Sequence, residues 1–303
     1  MSLLVVGSVA FDDVETPFGR RERVLGGSAS FFSLSASRFV PIRVVAVVGE
    51  DFGPDQMRTF EGRPIDLSGL VRKEGLSFHW KGAYGWDLNE AKTLETHLNV
   101  FADFKPDLPP AFRESDHLFL GNIDPTLQLD VVKQMKSRPR WIALDTMNYW
   151  IRGASDALGR VLQEVDILLV NDAEVRELTR EHSLLKAYRR VREMGPKILV
   201  VKRGEYGVGL FTPEGIFAAP AFPLEDVFDP TGAGDTFAGG FLGQLARLGR
   251  MDTTALKHAT LAGTVMASFT VERFSTERLE SLTNEELDAR MTSFSDMIRV
   301  EAL

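Results

Sequence analysis

The sequence predicts an α/β fold: a parallel sheet whose crossover helices cover both faces. Three observations support this. Apolar runs of strand length recur along the chain, and a helix-like stretch follows each one. The runs are continuous in Val, Ile and Leu, as in strands buried on both faces. Most of them end in a small or polar residue, placing polar groups along the edge where such sheets bind ligands.

In chain order the strand candidates are "LLVVG" (3–7), "RVVAVVG" (43–49), "HLFLGN" (117–122), "RWIALD" (140–145), "VDILLVN" (165–171) and "KILVVKRG" (197–204). Helices are expected over 28–38, 126–136, 153–164, 173–180 and 184–194. After residue 235 the pattern is mostly helical, over 254–268 and 284–298. Residues 75–105 differ, being rich in aromatics without a long apolar run. There "SFHWKGAY" and "THLNVF" are expected as short strands of a flap or lid. No repeat, low-complexity tract or Pro/Gly/Ser linker interrupts the chain, so one domain is expected over 1–303, with its lid formed by about 11–20 and 76–104.

A chain of 303 residues buries a large core. The net charge of −8 is spread out and no Lys/Arg block stands out, which argues against a nucleic-acid partner. The absence of cysteine excludes disulfides, thiolate catalysis and cysteine metal sites, and fits a reducing cytoplasm. The opening "MSLLVVGSVAF" reads as a buried strand ending at Gly7 rather than a signal peptide. No apolar run reaches the roughly 18–20 residues a membrane span needs, so no membrane partner is expected.

The most informative stretch is "DPTGAGDTFAGGF" (229–241). Phe237, Phe241, Leu245 and Leu248 recur at helical spacing, so a helix begins near Asp235. Gly232, Ala233 and Gly234 form the turn into it, and small residues let backbone N–H groups converge. A helix start adds free donors and a partial positive charge, giving an anion site. Asp235 reads in two ways. It caps the helix, or it acts as a general base that takes the proton of an attacking hydroxyl beside a transferred phosphoryl group.

This stretch resembles the C-terminal signature of the ribokinase (PfkB) family of carbohydrate and nucleoside kinases. Further segments occur in that family's order: "GSVAFD" (7–12), "GGSASFF" (26–32), "VVGEDFG" (47–53), "NDAE" (171–174), "KRGEYGV" (202–208) and "MASFTVERF" (266–274). The resemblance implies a ribokinase-like three-layer α/β/α fold with a central mostly parallel sheet and a small β lid. It implies transfer of the ATP γ-phosphoryl group to a hydroxyl, usually a hydroxymethyl. Asp235 would be the base and Gly232, Ala233 and Gly234 the anion hole. Asp12, Gly26, Gly27 and Phe31 would bind substrate. Asn171, Lys202, Gly204, Gly207 and Gly263 would bind nucleotide, and Glu174 would act on Mg²⁺ through water. The resemblance also admits a monovalent cation such as K⁺ near Asp229 and Thr231, and either a monomer or a homodimer.

Each of these residues also has a plainer reading. Asp12 suits a turn, Asn171 with Glu174 resembles a capping box, and Lys202 is placed to snorkel from a strand end. Asp145 of "DTMNYW" (145–150) either faces the cleft or caps a turn. The sequence departs from the family pattern at Ala10 and Phe31, where relatives often carry Asn, and at Gly263 and Phe274. Apolar residues at 10 and 31 argue against ribose itself, at a cost on the order of 1 kcal/mol per lost hydrogen bond. Phe11, Phe31, Phe78, Trp80, Tyr84 and Trp86 either build a pocket where a sugar ring or base stacks, or pack the flap on the core. The expected acceptor is a small sugar or sugar-like alcohol. The alternatives are a nucleoside of the adenosine type and a non-catalytic ligand-binding member of the same fold.

Overall fold

Continuous apolar runs become neighbouring strands of one sheet in a computed structural model, which describes residues 1–299. The chain opens with β1 (Leu3–Val6), then a hairpin of β2 (Ala10–Thr16) and β3 (Gly19–Gly26), then α1 (Ser28–Ala36). β4 (Ile42–Val48), α2 (Pro54–Arg58) and β5 (Ile65–Arg72) follow. A second hairpin, β6 (Phe78–Tyr84) and β7 (Ala91–His97), precedes β8 (His117–Leu120). Next come α3 (Pro125–Gln134), β9 (Trp141–Asp145), α4 (Asn148–Gly153), α5 (Ser155–Leu162) and β10 (Ile167–Asn171). α6 (Asp172–Thr179), α7 (Leu184–Met194), β11 (Ile198–Lys202), β12 (Val208–Thr212) and β13 (Gly215–Ala219) lead to the terminal helices α8 (Ala233–Leu248), α9 (Thr253–Thr270), α10 (Glu277–Ser281) and α11 (Asn284–Met297).

The large sheet has nine strands in the order β13-β12-β11-β10-β9-β8-β1-β4-β5. It is parallel from β11 to β5, with β12 and β13 antiparallel at one edge. Side chains of a strand alternate between faces, so β1 feeds both cores. Leu3 and Val5 pack with Phe241, Leu245 and Phe269 of α8 and α9. Leu4 and Val6 pack on the other face with Val131, Leu158 and Val191. The chain runs outward from β1 to β4 and β5, then returns to β8 on the other side of β1. That reversal opens a crevice beyond the strand ends.

The second sheet, β3-β2-β6-β7, pairs β2 with β6 in parallel and is otherwise antiparallel. The segment "THLNVF" does not form a strand as expected. β7 ends at His97, and Asn99–Asp103 is a 3₁₀ helix. Asn99 takes a left-handed φ of 48° and its Nδ2 donates to the Ser77 carbonyl at 2.8 Å, which turns the chain off the sheet. Val100 is buried there, and Phe101 stacks on Phe104. The helix expected over 153–164 is α5, and the short helix α4, which the sequence reading did not mark, precedes it.

Candidate active site

α8 begins at the ligand edge of the large sheet. Its N-cap is Gly232, at φ 74° and ψ 1°. A Cβ at Gly232 would lie 2.3 Å from the Phe31 ring, so both the dihedral and the neighbour demand glycine. The Ala233 N–H turns back to the Pro230 carbonyl at 3.1 Å. The N–H groups of Gly234 and Asp235 find no carbonyl among the described residues. Of the trio expected in sequence, Gly232 and Gly234 therefore keep N–H groups without a carbonyl partner among the described residues, Ala233 does not, and Asp235 adds a further one. Asp229, fully buried, braces this turn: its Oδ1 accepts from the Thr231 N–H and its Oδ2 from the Ser275 N–H, both at 2.9 Å.

Asp235 lies in the first turn of α8 and makes no capping hydrogen bond there. The capping reading therefore fails. Burial pushes its carboxyl up to about 7, the charge of Asp145 adds to the rise, and Lys202 opposes it. Lys202 ends β11 and donates to Asp145 Oδ2 at 2.8 Å. Burial works against its charge, but Asp145 and Glu174 outweigh that and hold the ammonium above its ordinary range. A Cβ at Gly234 would sit 3.1 Å from Lys202 Nζ, so the lysine lies directly against the helix start.

Asn171 and Glu174 cap α6 reciprocally. The Asn171 N–H donates to Glu174 Oε2 at 2.7 Å, and the Glu174 N–H donates to Asn171 Oδ1 at 2.8 Å. Burial, then Asp145, lifts the Glu174 carboxyl to about 7.

Asp12 lies on β2 and is buried. A Cβ at Gly26 would fall 2.0 Å from its Oδ2, so the glycine makes room for the carboxyl. Gly27 holds φ 91°, and a Cβ there would meet the Ser8 carbonyl at 2.5 Å. Burial pushes Asp12 up to about 8, helped by the charges of Asp229, Asp235 and Asp13. At neutral pH it is largely protonated and has an O–H to donate. The small sheet reaches over this edge. Thr231 Oγ1 donates to Tyr84 Oη at 3.3 Å, and Phe18 meets Phe228 edge-on with ring centres 5.9 Å apart.

A cavity of about 510 Å³ opens beside the helix start, lined in part by Lys202, Gly204, Gly207, Ala233 and Gly234. Gly263 is not in its lining. It lies inside α9, where a Cβ would be 2.8 Å from the Phe237 carbonyl, so its smallness serves the packing of α8 on α9. Thr264, Ala267 and Ser268 line the cavity instead. Phe31 is likewise a packing residue, 1% exposed and pressed against Gly232. No single aromatic pocket assembles: Phe11 packs on Phe52, Phe78 stacks on Phe101, and Trp86 meets Phe18 at the surface. Sequence reasoning undervalued Asp145. Its one signal was a carboxylate ending a buried strand at the same edge as Lys202 and Asn171.

Residues 5–282 match the profile of the pfkB family carbohydrate kinases. The chain is 28% identical over 252 residues to a cytidine kinase of Thermococcus kodakarensis, covering 82% of this chain and 89% of that one. It is 26% identical over 290 residues to a nucleoside kinase of Methanothermobacter thermautotrophicus, covering 91% of each. Its fold matches aminoimidazole riboside kinase from Salmonella enterica, solved with aminoimidazole riboside and an ATP analog, at a TM-score of 0.78 and 22% identity, covering 96% of this chain and 100% of that one. The helix start at Asp235, with the ordered motifs leading up to it, therefore sits in a profile match spanning nearly the whole chain, and the protein belongs to the pfkB family of carbohydrate kinases.

Proposed function

We propose that this protein transfers the γ-phosphoryl group of ATP to a hydroxyl of a sugar, most favourably the sugar of a nucleoside. One observation carries the reading. Asp235 follows Gly234, which lines the cavity, and its charge is felt at Asp12, which supports a carboxyl positioned between the cavity and the small-sheet side. Beside it are two unpaired helix-start donors.

The roles follow from placement. Asp12 holds the acceptor by its hydroxyls. Asp235 takes the proton of the attacking hydroxyl as the new O–P bond forms and ADP leaves. The N–H groups of Gly234 and Asp235, with Lys202 beneath them, hold the charge that develops on the phosphoryl oxygens. Mg²⁺ fits the donor set. Glu174 and Asp145 give a local negative charge, and among the described residues no group of three or more metal-binding side chains forms a closed cage. Such an arrangement suits an ion that keeps water and phosphate ligands. When bound near Glu174 and Asp145, Mg²⁺ would offset the negative charge of the phosphates. The small sheet, by its Tyr84 and Phe18 contacts, closes over the acceptor and keeps water out.

Two relatives carry nucleoside-kinase names, which supports a nucleoside over a free sugar. The test is phosphate transfer from ATP with Mg²⁺ to a panel of cytidine, other nucleosides, ribose and polyols, run beside Asp235→Asn. Transfer to a nucleoside, reduced by on the order of 10²–10⁴ in kcat in the variant, is expected. Transfer to no acceptor, or near-parental kcat in the variant, overturns the reading.

A further inference from the structure

The turn joining β6 to β7 reaches beyond the small sheet. Asp87, Leu88 and Asn89 line the same cavity as Lys202 and Gly234. Asn89 Nδ2 donates to Glu205 Oε1 at 3.3 Å. A Cβ at Gly204 would lie 2.4 Å from Asn89 Oδ1, so the asparagine occupies the space a side chain there would fill. Gly204 itself holds φ 53°, and Leu88 holds φ 54° without being glycine. A leucine remains in that disfavoured region only where its surroundings impose it. The tip is therefore a seated element, fixed on the 204–205 turn.

We infer that the β6–β7 tip, through Leu88 and Asn89, is the outer wall of the nucleotide site and retains bound nucleotide. Gly204 is the seat that admits Asn89. One small sheet then carries Asp12 towards the acceptor and Leu88 with Asn89 over the nucleotide, so opening it for either ligand loosens the other. The inference rests on the kinase reading above.

The test is stopped-flow release of mant-ADP with Mg²⁺. The parent is compared with Asn89→Ala and with a variant whose Trp86–Asn89 tip is replaced by an Asn-Gly turn. Both variants should release mant-ADP about fivefold faster or more, with unchanged melting temperature in the absence of nucleotide. Release within about twofold of the parent in a folded variant overturns the inference while leaving the kinase reading intact. A parent that does not bind mant-ADP overturns both. If the shortened tip prevents folding, Asn89→Ala decides alone.

Discussion

Lys202 Nζ and Asp145 Oδ2 lie 2.8 Å apart, although β10 separates their strands. The lysine reaches across the intervening strand end and comes to rest under Gly234. Three carboxyl groups surround it: Asp145, Glu174 and Asp235. It is the cation that offsets their mutual repulsion. An uncompensated group of buried carboxylates is costly, and each raises the others' affinity for protons.

Burial sets most of the rise in the pKa of the proposed base, and this pair tunes it further. Asp235 must be deprotonated to accept a proton, so kcat/KM falls about tenfold per pH unit below its pKa. Asp145 raises that pKa and Lys202 lowers it. Lys202→Met should therefore move the acid limb to higher pH, and Asp145→Asn should move it to lower pH. The measurement is kcat/KM across the neutral range for parent and both variants. Limbs that stay in place in both variants would remove Asp235 from the titration that governs rate.

Glu174 combines a structural and a chemical duty, and a single substitution separates them. Glu174→Gln keeps a side-chain oxygen that accepts the Asn171 N–H, so the start of α6 stays capped. Stability should change by less than about 1 kcal/mol, the typical worth of a cap. The lost charge should raise the Mg²⁺ concentration needed for half-maximal rate by roughly 10–100-fold. Mg²⁺ titrations of activity, with melting curves alongside, test this. A large fall in stability with an unchanged Mg²⁺ requirement would leave Glu174 as a cap alone.

The parts legible in the sequence share one property: local chemistry decided them. β1, β8, β9, β10 and β11 are buried on both faces, so each reads as a nearly continuous apolar run. The turn before α8 was legible because its glycines answer a backbone demand. What was misread depends on which neighbour arrives from elsewhere in the chain. Phe31 gives no sequence sign that its ring lies against Gly232 rather than in the cleft. Gly263 resembles a site glycine until Phe237 of α8 is seen beside it. β7 is exposed along its whole length and has no apolar period, so its end at His97 was not marked. Asn89 meets Gly204 only after two distant hairpins are placed together.

Asp12 offers the sharpest contrast between stability and function. Its folded pKa, about 8, stands well above the ordinary aspartate range. Between those two values the folded protein holds a proton that the unfolded chain has released. Stability therefore falls as pH rises through this window, by up to about 1.4 kcal/mol per unit for this one group. Asp12→Asn removes the titration and keeps the shape. The variant should gain on the parent as pH rises from about 5 to 7, with the difference in melting temperature widening over that interval. It should keep most of its acceptor affinity at neutral pH, because an amide, like a protonated carboxyl, donates one hydrogen bond and accepts another. Denaturation at several pH values, paired with acceptor KM at fixed ATP, tests both halves. A stability difference that stays flat with pH would mean that Asp12 titrates normally in the folded protein, and the buried, protonated acid proposed to hold the acceptor would have to be abandoned.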